Sequence, residues 1–193
     1  MLPLPNGSFA CITADPPWSF KSNSRAKPGR NAMRHYDCMT LDEIAALPVA
    51  DIAADNAILW FWTSSPLLVI GAHIPIMCAW GFKPTASGFV WVKIDDQGRL
   101  QWGTGFTTRK NCEFCVIGKR GRSLRQATDV HEVIFAPRRQ HSRKPNEFYR
   151  RVERYSPGPR LDLFGSESRD GWTIYGNEAG KFDAAIPWLE AAE

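Results

Sequence analysis

No apolar run in this chain approaches the roughly 20 residues that a membrane-spanning helix needs, and the amino terminus lacks the basic-then-apolar pattern of a secretory signal. These two absences predict a cytoplasmic protein without a membrane partner. A disulfide framework is missing too: five cysteines, an odd number at irregular spacing, suit a reducing compartment. Cys112 and Cys115 share a C-x-x-C spacing, but no second pair lies at metal-site distance and a strand would turn the two to opposite faces. No metal is therefore expected. Nor is there length for two ordinary domains; 193 residues, 44% hydrophobic and 23% charged, predict one well-buried domain over 1–193.

Positive charge is in modest excess, +4, which permits a polyanionic partner without requiring one. Its distribution says more. Lys21, Arg25, Lys27, Arg30 and Arg34 run without an intervening acid; a second group is Lys119, Arg120, Arg122 and Arg125; a third is Arg138, Arg139, Arg143 and Lys144. Beside a base-sized pocket such groups would serve phosphate contacts, and a solvated surface is the alternative for each taken alone.

One stretch organises the rest. The apolar run Phe9–Ala14 reads as a buried strand and delivers Asp15-Pro16-Pro17-Trp18 at its carboxyl end, where ligands bind in open α/β sheets. Each proline removes a backbone donor and biases the residue before it towards extended backbone, so the carbonyls of Asp15 and Pro16 are expected to stay free for another partner. Trp18 adds a flat apolar face. Together these suit a planar base held by edge and face. An exocyclic amine, adenine's above all, could give one N–H to Asp15 and the other to the Pro16 carbonyl, aiming its lone pair at a methyl donor held in line, such as S-adenosylmethionine. A plain turn with a core tryptophan is the alternative for this tetrapeptide on its own.

In chain order, residues 19–38 lack periodicity and read as a basic active-site loop, a lid over the base. Thr40 to Glu43 has capping-box spacing and starts a short helix stopped by Pro48. Ala57–Trp62 reads as a central strand whose tryptophans belong to the core. Ser65 and Pro66 open a helix expected to reach Trp80, kinked at Pro75. Further strands are expected over Ser87–Ile94, Phe114–Ile117, Val130–Phe135, Leu161–Phe164 and Trp172–Tyr175. A second loop covers about 101–111, and a helix runs from Pro145 to about Tyr155 with Phe148 and Val152 on its apolar face.

From about Phe9 to Glu178 the chain resembles the MT-A-seventy family of S-adenosylmethionine-dependent adenine-N6 methyltransferases. The resemblance rests on Ala14-Asp15-Pro16-Pro17-Trp18, Trp91-Val92-Lys93, His141-Ser142-Arg143-Lys144-Pro145, Leu161-Asp162-Leu163-Phe164-Gly165 and Gly171-Trp172 through Gly176-Asn177-Glu178, in the family's order. It implies an α/β fold: a doubly wound, Rossmann-like, mainly parallel sheet of about seven or eight strands, with helices on both faces and a permuted motif order. It implies catalysis by Asp15, Pro16, Pro17 and Trp18. S-adenosylmethionine would be held by Asp15, Lys144, Phe164, Gly165, Ser166, Asn177 and Glu178, with Lys144 on the methionine carboxylate; residues alone would make Lys144 a solvated lysine. The substrate would meet Arg25, Arg30, Arg34, Tyr36, Lys93, Arg109, Glu113 and His141. A packing role for Tyr36 and an ion pair between Glu113 and a lid arginine remain alternatives. Many relatives carry arginine or histidine where this chain has Ser166, Ser168 and Arg169, which implies weaker cofactor binding.

The expected reaction is methylation of adenine N6 in DNA, with RNA as the alternative target and a non-catalytic nucleic-acid-binding subunit as the alternative from another class. A chain without a separate target-recognition domain is expected to read a short or loose motif, or to depend on a homodimer or partner subunit.

Overall fold

The computed structural model of the chain describes residues 3–19, 38–103, 108–122, 124–140 and 143–183. Its strands are β1 (Phe9–Ala14), β2 (Ala53–Thr63), β3 (Lys83–Ile94), β4 (Cys112–Arg120), β5 (Val133–Pro137), β6 (Arg160–Leu163) and β7 (Trp172–Tyr175). They form one seven-stranded sheet in the order β5-β3-β4-β2-β1-β6-β7. Four pairings are parallel, and β4 is antiparallel to both its neighbours. The α/β, mostly parallel expectation holds at this level. The reversal of β4 was not legible, because an apolar run carries no sign of strand direction.

All six residues of β1 are buried, as a central strand covered on both faces requires. Along β2 the side chains alternate between two cores: Ala57, Leu59 and Phe61 enter one, and Ile58, Trp60 and Trp62 the other. The first core is closed by α1 (Leu41–Ala45), α2 (Val49–Ile52), α3 (Ser65–Val69) and α4 (His73–Ala79), through Ile44, Val49, Leu67, Ile76 and Met77. The second is closed by α5 (Asn146–Tyr155), whose Phe148 packs edge-on against Trp62 and Phe89 at 4.9 and 5.6 Å. Emptying a site like that of Phe148 costs about 3–5 kcal/mol.

Local signals placed several boundaries well. Thr40 and Glu43 form the capping box reciprocally, Pro145 is the N-cap of α5, and β7 begins at Trp172 and ends at Tyr175. The single helix expected from Ser65 to Trp80 is instead two. The chain breaks between Val69 and His73, where Gly71 takes φ +69°. Pro75 sits in the first turn of α4, where a missing N–H costs nothing, so no kink is needed there. Gly118 of β4 leaves room for the Met77 side chain of α4, whose Cε would lie 2.7 Å from a Cβ there.

Candidate active site

The sheet brings one set of strand ends together. Ala14 at the end of β1 pairs with Phe61 of β2 and with Leu163 of β6, so Asp15, Trp62 and Phe164 emerge side by side. The chain leaves β1 for β2 on one flank and later returns to place β6 on the other. This is the switch point at which such sheets open a crevice. Because β4 runs backwards, its first residues face the same edge, with Glu113 opposite Trp91 of β3. Pro137 ends β5 beside Ile94, which directs Arg138 to Lys144 towards the crevice.

The result is a cavity of about 690 Å³, within the range of small-molecule sites. Asp15 to Trp18, Trp62, Lys93, Glu113, Arg139, Arg143, Lys144, Phe164, Asn177 and Glu178 are among the residues lining it. A small side pocket continues from Asp15 and Lys144 to Gly165 and Ser166.

Charge alternates across its floor. Lys93 Nζ lies 2.5 Å from Glu113 Oε1, Glu113 Oε2 2.9 Å from Lys144 Nζ, and Lys144 Nζ 2.6 Å from Asp15 Oδ2. Lys144 is buried, one residue ahead of the N-cap of α5, with its ammonium 5.1 Å from the centre of the Trp62 ring. A lysine removed from water needs such partners. Enclosure alone would favour its neutral form, but Asp15 and Glu113 hold it charged, well above the ordinary lysine range. Enclosure pushes the Asp15 carboxyl upwards against the pull of Lys144. Glu113 goes the other way: burial opposes its charge, yet Lys144 and Lys93 together hold it down at about 2.

Beside Asp15, the end of β6 makes a tight wall. Phe164 takes φ +70°, a left-handed conformation that a bulky residue holds at a cost of about 1–3 kcal/mol. A Cβ on Gly176 would lie 2.9 Å from the Cα of Phe164, so only glycine lets the end of β7 come this close.

Several expectations change here. The Pro16 carbonyl is not wholly free: it accepts the Trp18 amide at 2.8 Å, and the Pro17 carbonyl accepts that of Met39. Two lone pairs on a carbonyl oxygen still leave Pro16 one acceptor position. Trp18 is 6% exposed and edge-on to Phe61 at 5.5 Å, so most of its face is spent on the core. Trp62, read as core, also lines the cavity, and its Nε1 is buried with no partner among the described residues. Its place at the end of β2, just before Thr63-Ser64-Ser65, was the available signal. Glu113 pairs with Lys93 and Lys144; the lid arginines of the alternative reading lie outside the described residues.

The basic groups divide. Lys119 and Arg120 end β4 at the sheet edge away from the cavity, paired with Ile58 and Ala57, and Arg120 donates to the carbonyls of Ala50 and Ala53. They therefore do not flank the crevice. Lys144 is taken up by Asp15 and Glu113, and Arg139 and Arg143 by Glu167, which leaves Arg138 as the exposed member of that group. Arg109 is exposed and outside the cavity lining. Arg25, Arg30, Arg34, Tyr36 and His141 lie outside the described residues. Ser19 and Met39, at the two ends of the 20–37 segment, are joined by a 3.0 Å backbone hydrogen bond at the cavity mouth.

An α/β sheet with an acid and a buried lysine at its switch point has the architecture in which open sheets place their ligand crevices. The family model described as MT-A70 matches residues 9–178. The chain belongs to the MT-A70 family of adenine-N6 methyltransferases. It is similar to the type II methyltransferase M.MunI of Mycoplasma sp, 28% identical over 95% of this chain and 83% of the relative. It is also similar to the human N(6)-adenosine-methyltransferase catalytic subunit METTL3, 29% identical over 89% of this chain, and to a probable rice N(6)-adenosine-methyltransferase, 30% identical over 89%. The matched regions are only 28% and 23% of those two relatives. No helix among the described residues is long and apolar enough to cross a membrane.

Proposed function

We propose that this chain transfers the methyl group of S-adenosylmethionine to the exocyclic N6 amine of adenine in DNA, as a single Rossmann-like, doubly wound domain with a permuted motif order. The observation that carries the reading is Asp15 at the β1/β6 switch point, tied to buried Lys144 and opening on the cavity that Phe164 and Asn177 also line.

The donors and acceptors present fit that cofactor. Lys144 has three N–H donors, two of them directed at Asp15 and Glu113, and the third suits a carboxylate such as that of the methionine moiety. Asn177 and Glu178, just past β7, offer an amide and a carboxylate to ribose hydroxyls, while Phe164, Gly165 and Ser166 form the wall against which the adenosyl group would lie. When bound, the cofactor supplies an electrophilic methyl group on a sulfonium centre.

On the target side, Asp15 and the remaining lone pair of the Pro16 carbonyl accept the two amine hydrogens and orient the nitrogen lone pair into the cavity. As the new N–C bond forms, the amine loses one proton. Asp15, whose carboxyl enclosure has pushed upwards, is suited to take it. Glu113, flanked by two lysines, keeps Lys144 in place. A base must leave a duplex to reach Asp15, at a few kcal/mol, so single-stranded or distorted DNA is the preferred form.

DNA is favoured over RNA because the match extends over 83% of a bacterial type II methyltransferase and only 28% of the human N(6)-adenosine enzyme subunit. Those eukaryotic relatives make RNA the second reading. An intact Asp15-Pro16-Pro17-Trp18 with Lys144 in contact speaks for catalysis over a purely binding subunit. Transfer of labelled methyl groups to matched DNA and RNA oligonucleotides, single and double stranded, tests the proposal. N6-methyladenine in DNA is the expected product; labelling of RNA alone would overturn the choice of target, and labelling of neither the reaction.

A further inference from the structure

Glu167, on the turn between β6 and β7, is surrounded by three guanidinium groups. Arg139 reaches it through two nitrogens at 3.0 and 3.2 Å, Arg143 through Nε at 3.0 Å and through Nη2, and Arg169 stands 3.6 Å away. These side chains are only 14–24% exposed. Their other donors are taken by groups of the chain itself: Arg139 by the Lys144 carbonyl and Asn146, Arg143 by Gln140, and Arg169 by Asn146.

The same turn is laced to the segment after β7. The Phe182 amide donates to the Ser166 carbonyl at 3.0 Å, Ser168 gives its amide and hydroxyl to Asp183 at 2.6 and 2.7 Å, and Arg143 stacks 5.0 Å from the Phe182 ring. Three segments thus meet at this turn: the one that carries Lys144, the one that carries Phe164 and Gly165, and the one that follows Asn177 and Glu178. They form the cofactor side of the cleft.

We propose that Glu167 is a positioning residue that fastens the Lys144 segment to the Phe164–Gly165 wall and so sets the width of the cofactor half of the cleft. This rests on reading the cleft as an S-adenosylmethionine site. Without the carboxylate, three guanidinium groups in a partly dry pocket repel one another, and the fastening becomes a wedge. A cluster with two surplus positive charges could also serve as a phosphate site, but its donors are already engaged by Glu167, Asn146, Gln140 and the Lys144 carbonyl, which favours fastening.

The test is Glu167→Gln beside Glu167→Asp, which keeps the charge but shortens its reach. In the protein without cofactor, hydrogen exchange at the Ser168 and Phe182 amides should accelerate on the order of tenfold in Glu167→Gln and less in Glu167→Asp. Affinity for S-adenosylhomocysteine by calorimetry should fall on the order of tenfold. The KM for S-adenosylmethionine should rise while kcat at saturation stays within about threefold of the parent. Unchanged exchange, unchanged affinity, or a loss confined to kcat would each overturn the proposal. Tighter oligonucleotide binding with unaltered cofactor affinity would do so too, by marking a phosphate site. If the parent binds no S-adenosylhomocysteine, the methyltransferase reading fails, and the exchange comparison alone decides whether Glu167 is a fastening.

Discussion

Two aspartates at the same end of the sheet have opposite electrostatic settings. Asp15, just past β1, is paired with the Lys144 ammonium and faces a cavity. Asp162, in β6 beside Thr13 of β1, is held by two neutral hydroxyls, Thr13 at 2.6 Å and Tyr149 at 2.9 Å. Burial raises the Asp162 carboxyl to about 6, against those hydrogen bonds. Hydroxyl donors satisfy the lone pairs of a carboxylate but do not offset its charge. The first acid stays in contact with the cavity, where the proposed reaction would use it. The second joins β1, β6 and α5 beneath the site.

The largest effect should come from the first setting. Asp15→Ala should lower methyl transfer by roughly 10³-fold or more while S-adenosylhomocysteine still binds; normal turnover would remove Asp15 from the mechanism. Lys144→Met strands two carboxylates around a buried methyl group, and urea unfolding should register a loss of about 3–5 kcal/mol. Asp162→Asn, in the second setting, should cost less, about 1–3 kcal/mol, because one hydroxyl loses its acceptor.

The pH dependences should have opposite signs. Asp162 has a folded value near 6, above the ordinary 3.8, so the folded protein holds the extra proton and stability falls as pH rises through that window. Glu113, held at about 2 against an ordinary 4.5, contributes stability above 4.5 that is lost as pH falls towards 2. Unfolding curves of Asp162→Asn and Glu113→Gln across this range should therefore deviate from the parent in opposite directions; deviations of one sign would break the contrast. At the bottom of the scale is Glu147, paired with Arg150 on the open face of α5, where the arginine is 71% exposed. Arg150→Gln should change stability by no more than about 0.5 kcal/mol.

What could be read in advance was local. The capping box at Thr40, the start of α5 after Pro145 and the strand Trp172–Tyr175 are set by neighbours a few residues apart. The helix break at Gly71 was missed because an apolar stripe continued on both sides of it. Charge patterning misled where partners were remote. Arg139 and Arg143 look like phosphate ligands until Glu167, 28 and 24 residues away, is brought against them. Lys144 looks solvated until Asp15 and Glu113 arrive from β1 and β4. Only the family resemblance raised it to a site residue beforehand.

By itself the amino-acid order determined which segments become strands, that an acid and two prolines follow the first of them, and which family motifs recur. The tertiary structure alone decided that β4 runs backwards, that Glu113 consequently faces Lys144, and that Lys93, Glu113, Lys144 and Asp15 form one alternating chain. The physical reason is range: backbone preferences act over a few residues, whereas the ionisation and burial of a side chain depend on groups that only folding brings within a few ångströms.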